Sequence, residues 1–240
     1  MYKIIYKNFE DYNVDFLQNA DKQSYNCDQH FKHGTIIEYI QQIMNKDTNY
    51  HINTLLEPGC GISELSAFLC KKYDTSTVYL FDFNIVNGID VYKKQQFIFN
   101  LHKTNTTIVM KNGDFFSRIQ EVPDNSVDLI IDGCSVTHFS GNDTVYNSGI
   151  TSWKNASIFF KKKLKKNGYV VISSDIKNHD DILNAVDSVH EFVYPNDIIN
   201  IFVNNGFKIV FDAIISNNEI EGVTPYNLKV MSICFQLSDV

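Results

Sequence analysis

Short apolar segments alternate with segments of helical periodicity over most of this chain, and this alternation constrains the fold more than any other feature. Helical spacing of apolar residues predicts helices over residues 63–73, 91–103, 152–168 and 195–206. The apolar segments between and around them span residues 52–57, 77–83, 106–112, 126–132, 169–175, 207–216 and 229–237. Strands that alternate with helices of this length predict a parallel sheet covered by helices.

The early and the late strands differ in pattern. The early segments are almost continuously apolar, as strands buried on both faces require. Residues 229–237 instead alternate apolar and polar side chains, and no helix separates them from residues 207–216, which indicates an antiparallel pair. We therefore predict an α/β fold: a doubly wound, mostly parallel seven-stranded sheet with an antiparallel last strand and helices on both faces.

The domain organisation follows from length and composition. A chain of 240 residues, 44% of them hydrophobic and 20% charged, suits one sizeable core. Its N-terminal part is mixed and polar-aromatic, but isoleucines at helical spacing predict a helix over residues 33–46, beginning at Thr35. We predict an N-terminal helical cap segment over residues 1–50 and a main domain over residues 51–240, within one structural domain overall.

Charge and cysteine usage exclude several classes of protein. A net charge of −7 and a pI near 5.4 disfavour binding to phosphate backbones. The lysine-rich run at residues 161–166 ends a predicted helix, where cations complement the helix dipole. The five cysteines are scattered without a C-x-x-C pair, and no apolar run is long enough to span a membrane. We expect a cytoplasmic protein without nucleic-acid or membrane partners, and its oligomeric state stays open.

The first strand–helix turn of the predicted main domain reads "EPGCGIS", residues 57–63. Ligands of open α/β sheets bind beyond the carboxyl ends of the strands, where the strand order reverses. Because Gly59 and Gly61 lack Cβ atoms, a ligand can approach their backbone closely. Ser63 can cap the helix that follows. On this motif alone, a tight turn that holds no ligand remains an alternative.

Acidic residues follow the next two strands. Asp82 ends the second strand, where a carboxylate can accept hydrogen bonds from both hydroxyls of a ribose. Asp114 follows the third strand, where it can accept from an adenine amino group while Phe115 or Phe116 stacks on the ring. With Glu57, these acids end three consecutive strands beside a glycine turn, which favours a ligand site.

In these motifs the chain resembles the class I S-adenosylmethionine-dependent methyltransferases, over roughly residues 52–237. Like that family, it has an acid-led glycine turn, acids that end strands two and four, an acid–hydrophobe pair after strand three, and an Asn-Gly turn before strand five. It departs from the family at Ser63, where a third glycine is common. The resemblance implies S-adenosylmethionine as the cofactor. It also implies a set of cofactor-binding residues: Glu57, Gly59, Cys60, Gly61, Asp82, Phe83, Asp114, Phe115 and Asp132.

A nicotinamide-dinucleotide enzyme is the main rival. Its G-x-G-x-x-G/A fingerprint requires a small sixth residue, and here that position holds Glu64. A carboxylate beside a pyrophosphate is repulsive, whereas Glu57 ahead of the glycines suits a cationic ligand. Electrostatics therefore favours the sulfonium donor.

The predicted reaction is an in-line methyl transfer to O or N of a small-molecule acceptor, in which the protein mainly aligns the nucleophile. His138, six residues past Asp132, is the candidate general base. His179 with Asp180 and Asp181 is a weaker candidate of the same kind. His33 and Tyr25 could reach the cofactor from the N-terminal segment.

Other chemistries fit the residues less well. The aminomethylating Asp/Asn-Pro-Pro motif and the Pro-Cys of cytosine enzymes are both absent around Cys134. A Mg²⁺ site on Asp132 and Asp175 lacks the adjacent second ligand, so no metal is predicted. A protein or peptide acceptor, or a binding or scaffold protein without turnover, stays open as an alternative.

Overall fold

The computed structural model describes residues 2–15, 26–83, 85–86, 88–139, 148–177, 193–220 and 228–238. The helices in this part of the chain are α1 (Cys27–Lys46), α2 (Leu65–Tyr73), α3 (Val91–Leu101), α4 (Phe115–Arg118), α5 (Ser148–Lys163) and α6 (Pro195–Asn204). The strands are β1 (Ile4–Lys7), β2 (Thr54–Glu57), β3 (Thr77–Asp82), β4 (Ile85–Val86), β5 (Ile89–Asp90), β6 (Thr107–Asn112), β7 (Val127–Asp132), β8 (Leu164–Lys177), β9 (Phe207–Ile209), β10 (Ala213–Ser216) and β11 (Leu228–Leu237). None of the helices described here has the length and apolar character that crossing a membrane requires.

The main sheet runs in the order β1-β10-β11-β8-β7-β2-β3-β6, and β9 also pairs with β11. Strands β6, β3, β2, β7 and β8 are parallel, whereas β11 is antiparallel to β8, β9 and β10. Chain order reverses at β2, which has β3 on one side and β7 on the other. The carboxyl ends of these three strands therefore meet at the switch point of the sheet, where ligands bind in such folds.

The predicted α/β class, the mostly parallel sheet and the antiparallel last strand are confirmed, but the described residues form a sheet of nine strands rather than seven. One addition is β1, which pairs in parallel with β10 at the sheet edge. The other arises because residues 207–216 form two strands. Asp212 lies between them and accepts a hydrogen bond from the backbone N–H of Lys3 (2.8 Å), which holds the chain that leads into β1.

The helix predicted over residues 152–168 ends earlier, at Lys163. The backbone N–H groups of Asn125 and Ser126 donate to the carbonyls of Lys162 and Lys163 and so take the acceptors that a further helical turn would use. The Lys163 ammonium itself is buried against the Val122 carbonyl (2.7 Å) and Asp124 (2.7 Å). The first part of the lysine run, up to Lys163, therefore ends α5, and the rest of the run lies in β8.

Helix α1 extends further than predicted, since it begins at Cys27 after an Asn26 N-cap, and Thr35 lies in its interior. Phe31, Ile36, Ile40 and Ile43 of this helix are fully buried in the core. The Thr35 hydroxyl meets Ser232 Oγ of β11 at 2.7 Å, and Ser232 in turn meets Ser173 Oγ of β8 at 2.6 Å. The structure thus packs residues 26–50 against the main sheet, while the proposed boundary near residue 50 stays a prediction.

An ion pair holds the start of α1 over the ends of β7 and β8. Lys32 Nζ lies 2.8 Å from Asp175 Oδ1 and 3.1 Å from Asp28 Oδ2, and the Asp175 N–H donates to Cys134 Sγ (3.4 Å). Burial alone lowers the pKa of Lys32, but the acidic groups of Cys134, Asp175 and Asp28 raise it on balance. The ammonium is therefore charged and is the partner of two nearly buried carboxylates.

We expect Lys32→Met to lower the free energy of unfolding by about 3–5 kcal/mol, because it leaves buried carboxylates without a cation. Lys71→Met, on an exposed position of α2, is the matched control and should change it by less than about 0.5 kcal/mol. Urea unfolding measures both variants. Adding Asp175→Asn to Lys32→Met should recover part of the loss, and equal stability of the two single lysine variants would contradict this account.

Candidate functional site

The site is assembled at the carboxyl ends of β3, β2 and β7, which end in Asp82, Glu57 and Asp132. Strand β2 lies between the other two, so Glu57 lies between two further acids. The structure therefore brings together three of the residues that the sequence predicted to bind the cofactor. It also places the glycine turn directly after Glu57, above the same edge.

The two glycines of the turn are required for different reasons. Both have positive φ, +58° at Gly59 and +50° at Gly61, a conformation that other residues adopt at a cost. A Cβ on Gly59 would lie 2.2 Å from Ser135 Cβ, so this glycine makes room for the turn after β7. A Cβ on Gly61 would meet no atom within 4 Å. The open side of the turn, where a ligand can approach the backbone, is therefore at Gly61.

The Asp82 carboxylate is held by backbone N–H groups of the glycine turn and of the residue that follows β3. Its Oδ2 accepts from the Gly61 N–H (2.6 Å), and its Oδ1 accepts from the Phe83 N–H (2.7 Å). Burial raises the pKa of Asp82, and these two hydrogen bonds act in the opposite direction. Each carboxylate oxygen has a second lone pair, so Asp82 can still accept from a ligand hydroxyl.

Glu57 is a buried acid, with 3% of its surface exposed. Its pKa is raised to about 8, mainly by burial and further by the charges of Asp132 and Asp82, while a hydrogen bond from Ser66 acts in the opposite direction. The Ser66 hydroxyl donates to Glu57 Oε2 at 2.5 Å. Glu57 is therefore largely protonated at neutral pH, and a cation placed beside it would favour its ionisation.

Asp132 is completely buried, and burial raises its pKa to about 6 against the hydrogen bonds that it accepts from the next turn. Its Oδ1 accepts from the N–H and the hydroxyl of Ser135 and from the N–H of Val136. Its Oδ2 has no hydrogen-bond partner among the described residues. Ser135 Oγ also lies 2.6 Å from the Pro58 carbonyl oxygen, so its single proton is shared between this carbonyl and Asp132 Oδ1. This contact joins the end of β7 to the glycine turn.

The remaining predicted cofactor residues lie in different environments. Asp114 is exposed and caps α4, where its Oδ2 accepts from the N–H (2.8 Å) and hydroxyl (2.7 Å) of Ser117. Phe115 is buried and packs between aromatic rings, with the Phe139 ring centroid at 4.9 Å. The Cys60 side chain is buried as well. Phe83, in contrast, is 61% exposed directly beside Asp82 and offers a free ring face.

The candidate bases and the two residues predicted to reach the cofactor, His33 and Tyr25, are placed as follows. His138 is exposed in a short 3-10 turn after β7, close enough to Asp132 for its charge to lower the pKa of that carboxyl. His33 is buried on α1, with its Nε2 3.5 Å from where a Cβ on Gly133 would lie. Burial, together with Lys32, lowers the pKa of His33 to about 3. The other candidates, Tyr25, His179, Asp180 and Asp181, lie outside the described residues.

The two residues considered for Mg²⁺, Asp132 and Asp175, have other partners. Asp175 forms an ion pair with Lys32, and Asp132 Oδ1 accepts from the Ser135 N–H of the turn after β7. In the part of the chain that the structure describes, no group of three His, Cys, Asp or Glu side chains is arranged to hold a metal ion.

Several residues that hold the site were missed by sequence reasoning. Ser66 and Ser135 contact the acids, and Gln95 of α3 donates to the carbonyls of Gly61 (2.9 Å) and Ser63 (3.1 Å). Glu64 is buried against His102, with Oε2 and Nε2 2.7 Å apart. In the sequence, only Gln95 stands out among these residues, as a glutamine on the otherwise apolar face of α3. The sequence does not indicate which residue its side chain contacts.

Solved structures share this architecture at low sequence identity. A SAM-dependent methyltransferase from Methanosarcina mazei matches with a TM-score of 0.56 and 15% identity, over 81% of this chain and 96% of its own. The N-methyltransferase NodS from Bradyrhizobium japonicum matches with a TM-score of 0.57 and 13% identity, over 89% of this chain and 98% of its own. The chain has the Rossmann-like fold of the class I methyltransferases.

This likeness concerns the fold. The 4+2 cyclase SpnF matches as well, with a TM-score of 0.58 and 11% identity, over 94% of this chain and 85% of its own. No protein-family model matches the sequence, and the search of curated proteins finds no match. Function must therefore be argued from the residues of the site.

The buried acids predict a specific dependence of stability on pH. Glu57 has a folded-state pKa of about 8 against an ordinary value of 4.5. The folded protein then binds more protons than the unfolded chain between these values, so its free energy of unfolding falls as the pH rises through that window. We expect Glu57→Gln to remove up to about 1.4 kcal/mol per pH unit of this slope.

Urea unfolding between pH 6 and 8 measures these slopes. The difference between Glu57→Gln and the wild-type protein isolates the contribution of Glu57, because Asp132, with a pKa of about 6, acts mainly below that range and His33, with a pKa lowered to about 3, contributes to both proteins. Glu10→Gln, at an exposed position, is the control and should keep the wild-type slope. Equal slopes in Glu57→Gln and the wild-type protein would mean that Glu57 is already ionised when folded.

Proposed function

We propose that this protein is an S-adenosylmethionine-dependent methyltransferase that transfers the methyl group in line to O or N of a small-molecule acceptor. The observation that carries the proposal is the cluster of Glu57, Asp82 and Asp132 beside the open backbone of Gly61. The methyltransferase fold supports it, because the cluster lies at the switch point where that fold binds its ligands.

The electrostatics of the cleft suit a cation. Two of the three acids are buried with raised pKa values, so a positive ligand would be stabilised by their ionisation. S-adenosylmethionine carries an ammonium and a sulfonium group. A pyrophosphate would instead bring negative charge to the start of α2, where the buried Glu64 carboxyl already pairs with His102. This arrangement supports the methyl donor over a nicotinamide dinucleotide.

The residues present fit the donor. Asp82 would accept from the ribose hydroxyls, since both its oxygens are fixed by backbone N–H groups and retain acceptor capacity. Phe83 offers an exposed ring face for the adenine. Both hydrogen bonds to Asp114 go to Oδ2, so its Oδ1 is the oxygen left to accept from an adenine amino group. Asp132 is completely buried, so it would act on a cationic donor group through its charge rather than by direct contact.

When bound, S-adenosylmethionine supplies an electrophilic methyl group, so the protein needs mainly to align the acceptor. His138 is the proposed base for an acceptor that must lose a proton, because it is exposed beside the end of β7. The buried His33, whose pKa is lowered to about 3, would stay neutral near pH 7 and is not proposed as the base. The ion pair of Lys32 with Asp175 closes α1 over the ends of β7 and β8, which supports a small acceptor over a protein.

A reducing, cytoplasmic location is part of the proposal. All five cysteines are free thiols in the structure, and three of them are fully buried. Burial raises the pKa of the Cys60, Cys70 and Cys234 thiols, which makes them unreactive. These features suit a compartment where disulfides do not form.

Calorimetry with S-adenosylhomocysteine, the product of the donor, tests the proposal. We expect the wild-type protein to bind it and Asp82→Asn to weaken binding by about 1–3 kcal/mol through loss of a charge-assisted contact to the ribose. The control is Asp74→Asn, because Asp74 is exposed at the end of α2 in the left-handed conformation that asparagine tolerates.

Unchanged affinity in Asp82→Asn would remove Asp82 from the cofactor site. Failure of the wild-type protein to bind S-adenosylhomocysteine, together with binding of NAD in the same format, would overturn the proposed function in favour of the oxidoreductase.

A further inference from the structure

Gln95 is a polar residue in an apolar setting. It is completely buried on α3, on the same face as the buried side chains of Val91, Ile98 and Phe99. Burying an amide is unfavourable unless hydrogen bonds compensate for its lost hydration. The Gln95 amide nitrogen makes two, to the carbonyl oxygens of Gly61 (2.9 Å) and Ser63 (3.1 Å). Both acceptors belong to the glycine turn.

The orientation of this amide follows from its partners. Backbone carbonyls only accept hydrogen bonds, so the NH₂ group must face the turn and Oε1 must face away. Oε1 is buried and has no hydrogen-bond partner among the described residues. A buried acceptor without a donor is unfavourable. The glutamine is therefore poorly explained as core packing and better explained by its two hydrogen bonds to the turn.

The turn needs such partners because its residues 58–63 belong to no strand or helix, so their backbone groups are not paired by regular secondary structure. Its Cys60 N–H donates to Phe81 O (2.9 Å), and its Ser63 N–H donates to Cys60 O (3.1 Å). The Gly61 N–H donates to Asp82 Oδ2 (2.6 Å). Gln95 supplies the donor for the two carbonyls. The turn is thus held in one conformation before any ligand binds.

Gln95 and the ligand approach Gly61 from different directions. The direction of the missing Cβ is open for at least 4 Å, and this is the side available to a ligand. The carbonyl of the same residue is occupied by Gln95. Asp82 therefore holds the N–H of the peptide that precedes the Gly61 Cα, and Gln95 holds the carbonyl of the peptide that follows it. Rotation of either peptide plane would break one of these two hydrogen bonds.

We infer that Gln95 is a positioning residue for the methyl donor: it fixes the glycine turn and, through Gly61, the Asp82 carboxylate, without touching the donor itself. This inference rests on the proposed function for the identity of the donor. The contact of Glu64 with His102, just past the end of α3, attaches the start of α2 to the same helix. Helix α3 thereby supports the second half of the turn and the start of α2.

The test compares Gln95→Met with Gln96→Met, its exposed neighbour on the same helix. Methionine keeps the length of glutamine but cannot donate, so two neutral hydrogen bonds are lost. We expect Gln95→Met to weaken binding of S-adenosylhomocysteine about 5- to 30-fold by calorimetry. Gln96→Met should bind as the wild-type protein does. Near-ultraviolet circular dichroism confirms that each variant is folded at the assay temperature.

Gln95→Glu adds a readout that general loss of packing would not produce. A protonated glutamic acid donates one hydrogen bond to the turn, whereas an ionised one repels both carbonyls. Its affinity, relative to the wild-type protein at the same pH, should therefore recover as the pH falls, while the deficit of Gln95→Met stays constant. Hydrogen exchange of the ligand-free protein should be faster at Gly61 and Ser63 in Gln95→Met and unchanged in Gln96→Met.

Binding by Gln95→Met within twofold of the wild-type protein, or a deficit in Gln95→Glu that does not change with pH, would overturn the inference. If the wild-type protein itself fails to bind S-adenosylhomocysteine, the proposed function is overturned instead. In that case the exchange measurement alone decides whether Gln95 holds the turn.

Discussion

The confinement of three carboxyl groups at one edge of a parallel sheet is the constraint on which the rest of the site depends. Strands β3, β2 and β7 end side by side, so Asp82, Glu57 and Asp132 lie together where little water reaches two of them. Burial raises the pKa of Glu57 to about 8 and that of Asp132 to about 6. Such acids destabilise the folded chain when ionised, and a bound cation offsets this cost. The buried acids thus lower the stability of the ligand-free protein, and binding of a positive ligand raises it again.

The glycine turn is fixed by its neighbours rather than by its own sequence. Ser135 fills the space that a side chain on Gly59 would need and bonds to the preceding carbonyl. On the other side, Asp82 and Gln95 hold the N–H and the carbonyl of Gly61. A site organised in this way loses little conformational freedom when a ligand binds. The open face at Gly61 is then the consequence of contacts made by three separate segments: the turn after β7, the end of β3 and α3.

Structural features that depend on local periodicity and on the residues at strand ends could be predicted from the sequence. Features that depend on tertiary contacts could not. The parallel strands and the acids at their ends were identified because the pattern is local. Strand β1 was missed because it is short and its pairing with β10 depends on distant residues. Ser232 belonged to a predicted polar face of the last strand, yet it is buried under α1, where Thr35 and Ser173 satisfy its hydroxyl. The contact of Gln95 with the turn likewise has no local signature.

The most direct test of the acid cluster is the number of protons released when S-adenosylmethionine binds near pH 7. Calorimetric titrations in buffers of different ionisation enthalpy measure this number without a methyl acceptor. Because Glu57 is largely protonated in the free protein and a cationic group would lower its pKa, we predict net release of a fraction of a proton per ligand bound. Binding with no net release, or with proton uptake, would contradict the claim that these buried carboxyls receive a positive ligand.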